Sequence, residues 1–240
     1  MIFARERAEV IANKLKKLMV VQKFQLDDWK VKEGFFLRPE EADLAEEDWE
    51  PFDSRLMHWY GPDRHYWFRT VFTIPEEYDG KGLWLRIRTQ IEEWDDAKNP
   101  QFLVFLNGEV VQGADMNHRE VLLSEAATAG ETVTVDLQAY SGTLHPEFRL
   151  MADVEEVSQP VKDLYYDIQV PLWAMDRMDQ EGKTAIDILT VLNDTISLLD
   201  LRDVHSDDFY RSVEAARAYI AKALYEDLAG DDTVIATCIG

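Results

Sequence analysis

The chain has 240 residues, of which 46% are hydrophobic, a composition typical of a folded protein with a sizeable core. Its formal charge of −22, from 25 basic and 47 acidic residues, would repel the phosphates of nucleic acids and of anionic membranes. The sequence contains no apolar run long enough to span a bilayer, and its charged N-terminus is unlike a secretory signal. A single cysteine, Cys238, fits a reducing compartment. We therefore predict a cytoplasmic protein that binds neither nucleic acid nor membranes.

The first 65 residues read as an N-terminal helix followed by an aromatic and acidic lead-in. Residues 4–19 show helical spacing of apolar side chains. The predicted buried face consists of Val10, Ile11, Leu15, Leu18 and Met19. The stretch that follows has weaker periodicity, and its acidic residues indicate a solvated surface loop.

Residues 66–158 change to the alternating period of β-strands. Leu83, Leu85 and Ile87 are predicted on one face of a strand, and Asn107-Gly108 is a strong hairpin signal, because both residues tolerate a positive φ. Seven or eight short strands with tight turns follow one another. The sequence predicts a mainly β fold with additional helices, in which an antiparallel β-sandwich of the jelly-roll, galactose-binding-like type is flanked by an N-terminal helix and a C-terminal helical segment.

Residues 159–230 return to the helical period. Pro171 predicts a kink or a break, and Ser206 and Gly230 are predicted to begin and end the last helix. The predicted buried stripe of the central helix consists of Ile186, Leu189, Leu192, Ile196 and Leu199. Residues 231–240 then form a short buried strand with no obvious partner, so we interpret them as the first strand of a further sheet.

The sequence offers no catalytic or metal-binding residues. The five histidines and Cys238 lack zinc-ligand spacing, and neither a nucleophile motif nor a glycine-rich phosphate loop is present. Pairs of neighbouring carboxylates are expected by chance in so acidic a chain. We therefore predict no catalytic residue, no metal and no cofactor in these 240 residues.

Aromatic and polar residues alternate in the segment "HWYGPDRHYWFR", residues 58–69. Aromatic faces stack on the C–H faces of sugars, and Arg and His bond hydroxyls. Trp59, Arg64, His65 and Trp67 are therefore candidate sugar-binding residues, and Trp94 is a weaker candidate of the same kind. In the alternative interpretation the aromatics start a core strand and the polar residues cap its loop.

A second polar segment lies between two predicted strands. Asp115, Asn117, His118 and Arg119 form it. These residues are candidates either for ligand binding or for contact with another domain.

Long stretches of the chain resemble the N-terminal region of α-mannosidases of glycoside hydrolase family 38, in the bacterial and cytosolic branch. The resemblance rests on "FRTVFTIPEEYDGKGLWLRI", "PQFLVFLNGEVVQGADMNHREVLLS", "VDLQAYSG", "LYYDIQVPLW", "ILTVLNDTISLLDL" and "FYRSVEAARAYI". These stretches occur in the family's order and cover most of the chain.

The resemblance implies a β-sandwich flanked by helices that leads into an α/β catalytic domain. In the family a strand much like "VIATCIG" is followed by a His-x-His-x-Asp motif that supplies zinc ligands, and hydrolysis retains the anomeric configuration. None of those residues falls within this chain. We therefore expect a truncated chain that is itself inactive, with zinc belonging to the longer parent protein.

Three functions remain open from the sequence. The chain is a non-catalytic accessory domain that supports the catalytic domain of an α-mannosidase, a carbohydrate-binding module for mannosides, or a self-contained scaffold protein. The expected partners are the parent's own catalytic domain and mannosides, and an exposed apolar surface would also be compatible with a homo-oligomer.

Overall fold

The computed structural model describes residues 3–44, 48–89, 99–144, 147–179 and 181–228. The chain divides into two units, one of Gln22–Val157 and one that combines Met1–Val21 with Ser158–Gly240. Trp94, Gly230 and the predicted strand 231–240 lie outside the described residues.

The first unit is an antiparallel β-sandwich, which confirms the predicted fold class. Its strands are β1 (Val20–Leu26), β2 (Asp28–Glu33), β3 (Glu50–Asp53), β4 (Trp59–Tyr60), β5 (His65–Thr73), β6 (Leu83–Arg88), β7 (Gln101–Leu106), β8 (Glu109–Ala114), β9 (Glu120–Ser124), β10 (Thr132–Tyr140), β11 (Glu147–Phe148) and β12 (Met151–Val157). Within the described residues, one sheet has the order β1-β12-β6-β9, a second has the order β3-β2-β5-β10-β7-β8, and β11 pairs with β4.

The core of the sandwich is formed by the alternating apolar residues of both sheets. Leu83, Leu85 and Ile87 of β6 are buried, as the sequence predicts. They share one cluster with Phe68 of β5 and Leu137 of β10 from the other sheet. Burial of this apolar surface is the main stabilising contribution to the sandwich.

The predicted hairpin at Asn107-Gly108 is confirmed. Both residues have positive φ, 50° and 87° respectively, which matches the twist of the flanking strands. The turn sets the register in which Leu106 of β7 pairs with Glu109 of β8.

The sandwich begins well before residue 66, which corrects the predicted domain boundary. β2 pairs with both β3 and β5 in the six-stranded sheet, so residues within the predicted lead-in belong to the sandwich. The alternation of β2 is hidden in the sequence because Lys32, a residue type expected at the surface, is buried. Its ammonium donates to the backbone oxygen of Ala42 at 2.6 Å, and it lies over the ring of Trp49.

A short helix, α2 (Pro39–Leu44), covers part of the outer face of the six-stranded sheet. Ala42 of α2 forms a small buried cluster with Trp67 of β5 and Phe105 of β7. This face of the sheet is therefore only partly covered, which leaves its other end available for a site.

The second unit is helical. It contains α1 (Ala4–Leu18), α3 (Gln159–Met175), α4 (Lys183–Ser197), α5 (Asp207–Ile220) and a π-helical segment, Ala221–Leu228. Ser206 accepts a hydrogen bond from the backbone N–H of Phe209, which confirms the predicted N-cap of α5. Of the kink or break predicted at Pro171, the break is absent, because α3 runs through this residue and buries its ring.

The buried faces of α1 and α4 differ from the predicted stripes. In α1, Val10 is 65% exposed, whereas Ala8 and Ala12 are fully buried. In α4, Ile186 is 48% exposed, and Ala185 is buried in its place. Small residues allow helices to approach closely, so alanines occupy the face that we predicted for larger side chains. No helix of the described residues is long and apolar enough to cross a membrane.

Candidate functional site

The outer face of the six-stranded sheet carries an open cavity at the end that α2 leaves uncovered. Its volume is about 230 Å³. The lining residues are Phe35, His65, Gln101, Phe102, Leu103, Gln138, Ala139 and Tyr140. Tyr140 of β10 pairs directly with His65 of β5 on one side and with Gln101 of β7 on the other, so these three side chains lie in one row across the sheet.

Three rings form the aromatic wall of this cavity. The rings of Phe35 and His65 meet edge to face with centroids 4.9 Å apart, and those of His65 and Tyr140 are 5.0 Å apart. Phe35 is 65% exposed. The cavity therefore presents an accessible apolar surface next to an imidazole.

Gly34 positions Phe35 at the rim. Its φ is 152°, and its N–H donates to the backbone oxygen of His65 at 2.9 Å. A Cβ at this position would come within 2.5 Å of the ring of Phe36. Glycine is therefore the residue that allows the chain to turn here with Phe35 against His65.

The hydroxyl of Tyr140 is oriented by Asp63. It donates to the Oδ1 atom of Asp63 at 3.1 Å, and this hydrogen bond to a carboxylate raises the pKa of Tyr140. Asp63 is itself held in a left-handed conformation, with its N–H donating to the oxygen of Gly142 at 2.7 Å. The hydrogen bond to Asp63 therefore orients the Tyr140 hydroxyl at the edge of the cavity.

Two amide side chains add hydrogen-bonding groups to the cavity. The Nε2 group of Gln138 donates to the backbone oxygen of Phe36, which orients this amide. Among the described residues, neither the amide of Gln101 nor a ring nitrogen of His65 has a hydrogen-bond partner. These groups can both donate to and accept from a ligand's hydroxyls.

Arg64, a charged residue next to the cavity in the described part of the chain, is paired. Arg64 precedes His65 in the chain, and its Nη1 atom lies 2.6 Å from the Oε1 atom of Glu33. Asp63 accepts from Tyr140, as described above. Among the described residues, the lining therefore contains no Lys, Arg, Asp or Glu side chain that would pair with an ionic ligand.

The structure separates four of the five residues that the sequence proposes for sugar binding, and the fifth, Trp94, lies outside the described residues. His65 lines the cavity and Arg64 adjoins it, whereas Trp59 and Trp67 are 2% and 0% exposed. Trp59 packs against Phe68 in the core between the sheets, and Trp67 lies under α2. Their indole N–H groups have no acceptor among the described residues. For these two residues the structure favours the alternative core interpretation.

The polar segment between β8 and β9 does not line the cavity. The Oδ1 atom of Asp115 accepts the backbone N–H groups of Asn117 and His118, both at 2.7 Å, and Arg119 donates to the oxygen of Met116. Burial acts to raise the pKa of Asp115, but the hydrogen bonds from His118 and Asn117 outweigh it and lower the pKa overall. These polar groups therefore order their own loop.

Sequence reasoning missed Phe35, Gln101, Gln138 and Tyr140. The strand pattern of β10 contained a signal, because Leu137 and Ala139 alternate with Gln138 and Tyr140. The alternation shows which residues of β10 face away from the core, but it does not show that β5 and β7 flank these residues.

The described residues contain no group of three or more His, Cys, Asp and Glu side chains placed to hold a metal ion.

Comparison with known proteins identifies neither a matching family model nor a matching curated protein. Solved structures of a β-glucuronidase from Ruminococcus gnavus share a partial structural likeness. The complex with C6-substituted uronic isofagomine has a TM-score of 0.38 at 14% identity and matches 57% of this chain and 29% of that chain. The complex with D-glucaro-d-lactam has a TM-score of 0.37 at 15% identity and matches 57% and 30% of the two chains. This chain thus spans less than a third of the length of these enzymes.

Proposed function

We propose that this chain is a non-catalytic N-terminal accessory region of an α-mannosidase that hydrolyses terminal α-D-mannosides. Catalysis would belong to a domain that follows in the longer protein, which would supply both the zinc ligands and the nucleophile. The 240-residue chain itself would be inactive. Its role would be to support the catalytic domain in a cytoplasmic enzyme.

The observation that carries the proposal is the order of the structural elements. The resemblance to family 38 implies a β-sandwich flanked by helices, and the described residues run from α1 through the twelve strands to α3, α4 and α5. The resembling stretches include β5, β6, β7 and the helices α3 to α5, and they occur in the same order as in the family. Sequence and architecture thus support the same interpretation.

The codons that follow residue 240 test this proposal directly. An α-mannosidase of this family would continue with the His-x-His-x-Asp motif directly after residue 240. A stop codon at this position, or a reading frame without that motif, would contradict the proposal.

The loop between β8 and β9 is the proposed contact with the catalytic domain. Asp115 already orders this loop, so the exposed ring of His118 and the neighbouring Arg119 would be presented without further loss of entropy. Replacing either residue with alanine in the longer enzyme should lower its thermal stability or activity. A Tyr60→Ala variant, which removes an exposed ring elsewhere on the sandwich, is the control. Unchanged behaviour of the His118 and Arg119 variants would rule out this contact.

A further inference from the structure

We propose that the cavity lined by Phe35, His65, Gln101, Gln138 and Tyr140 binds a single neutral pyranose ring. This inference concerns the 240-residue chain alone. It does not depend on which reaction a catalytic domain performs, so its failure would leave the mannosidase proposal standing.

The arrangement of apolar and polar groups fits a sugar better than a purely apolar ligand. A pyranose has one face of C–H groups and an edge of hydroxyls. Phe35 offers an exposed ring for the C–H face, and the His65 ring is held edge to face against it. The amide of Gln101 and the ring nitrogens of His65 have no partner among the described residues, so they are available to the hydroxyls.

The site is preorganised, so binding would cost little conformational entropy. Gly34 fixes the turn that carries Phe35, and its N–H is bonded to the oxygen of His65. Asp63 holds the hydroxyl of Tyr140, and the backbone oxygen of Phe36 holds the amide of Gln138.

The size and charge of the cavity narrow the ligand class. Its volume of about 230 Å³ lies below the roughly 300–1,000 Å³ of cavities that enclose drug-sized ligands, so one ring fits and an oligosaccharide would extend into solvent. The guanidinium of the neighbouring Arg64 is already paired with Glu33, so it is not free to pair with the carboxylate of a uronic acid. The ligand class is therefore a neutral hexopyranoside, free or at the end of a glycan.

Titration of the chain with methyl hexopyranosides, followed by NMR of the His65 ring and the backbone amides, tests the proposal. With a Kd of about 1 mM, methyl α-D-mannopyranoside or methyl β-D-glucopyranoside at about 10 mM should bring the His65 signals close to saturation. Methyl β-D-glucuronide should bind more weakly than its uncharged counterpart. The absence of any perturbation by both neutral glycosides, or equal binding of the glucuronide, would overturn the proposal.

A variant at the rim of the cavity tests whether the sugar binds in this cavity. Phe35→Ala should weaken binding between about twofold and tenfold, because it removes one aromatic contact from an exposed position. Tyr60→Ala removes a comparably exposed ring outside the cavity and should leave the affinity unchanged. The backbone spectrum of each variant reports whether the fold is retained. Binding that Phe35→Ala leaves intact in a folded variant would place the sugar elsewhere and contradict the assignment.

Discussion

Arg69 of β5 and Asp136 of β10 lie opposite each other in the six-stranded sheet, and their side chains form an ion pair with 2.5 Å between Nε and Oδ1. The Asp136 side chain is only 2% exposed, and burial raises its pKa despite the nearby guanidinium. Arg69 also contacts Asp43 of α2, whose side chain is 46% exposed. The pair thus joins the sheet to the helix that covers it.

Removing the Arg69 side chain should therefore lower the free energy of unfolding far more than removing the charge of its exposed partner Asp43. Arg69→Met leaves the buried carboxylate of Asp136 without its cation, so we expect a loss of about 3–5 kcal/mol in the free energy of unfolding. Asp43→Asn, the control, should cost about 1 kcal/mol or less, because exposed ion pairs contribute little. Urea unfolding of both variants measures the difference. Similar losses would show that the buried pair does not hold the sheet together.

The hairpin glycine should be sensitive to a Cβ because of its backbone conformation. A Cβ on Gly108 would find space, with the nearest atom 3.7 Å away, but its φ of 87° disfavours any L side chain. Gly108→Ala should lower the free energy of unfolding by about 1–2 kcal/mol. Gly113→Ala, in the paired strand β8, should instead be neutral or slightly stabilising, by up to about 1 kcal/mol. Equal effects of the two substitutions would contradict this account of the turn.

The alanine face of α1 should not tolerate larger side chains. Ala8 and Ala12 are fully buried among the helices of their unit, so a leucine at either position would overpack the core. We expect Ala8→Leu or Ala12→Leu to cost about 1–3 kcal/mol. The same substitution at the exposed Ala215 of α5 should stay within about 0.5 kcal/mol of the wild type. A thermal unfolding series would show an equal effect at all three sites if the face were not closely packed.

Asp167 of α3 should make the stability of the helical unit depend on pH. Burial raises its pKa above the ordinary value of 3.8, the Arg217 guanidinium opposes this shift, and the Asp163 carboxylate adds to it. The folded state therefore holds the proton more tightly than the unfolded state, and the stability that this carboxyl contributes falls as pH rises from about 3.8 through the folded pKa.

Asp167→Asn keeps this position neutral, so it should raise the midpoint of thermal unfolding at pH 7 and lose this advantage towards pH 4. Asp163→Asn, the control, should raise the midpoint less at pH 7, because it relieves only part of the repulsion on Asp167 and also removes the charge of Asp163, which lies 2.7 Å from Arg217. A pH-independent effect of Asp167→Asn would contradict the assigned cause.

The sequence predicted those parts of the fold in which pattern and burial agree. Leu83 and Leu85 alternate with polar neighbours and are buried, and Asn107-Gly108 forms the expected turn. The prediction of burial failed where a residue's environment differs from the one its type usually occupies. Lys32 is buried in a strand because its ammonium donates a hydrogen bond to a backbone oxygen, and Ala12 lies on a buried face that its weak hydrophobicity does not indicate.

The candidate site was only partly predictable, because it is assembled from distant parts of the chain. His65 stood out among local aromatic residues, whereas Phe35 and Tyr140 are brought to it by the turn at Gly34 and by the pairing of β5 with β10. Conversely, the local aromatic pattern also contained Trp67, whose position on the same face of β5 is covered by α2. Local sequence shows which side chains point away from the core, but the pairing of strands decides which of them come into contact.

The most direct test of the proposed function is the activity of the protein encoded by the whole reading frame that contains this chain. We expect hydrolysis of p-nitrophenyl α-D-mannopyranoside that is lost on metal chelation and restored by zinc, with no activity in the 240-residue chain alone. Absence of α-mannosidase activity from the whole protein, or cleavage of the corresponding β-D-glucuronide instead, would contradict it.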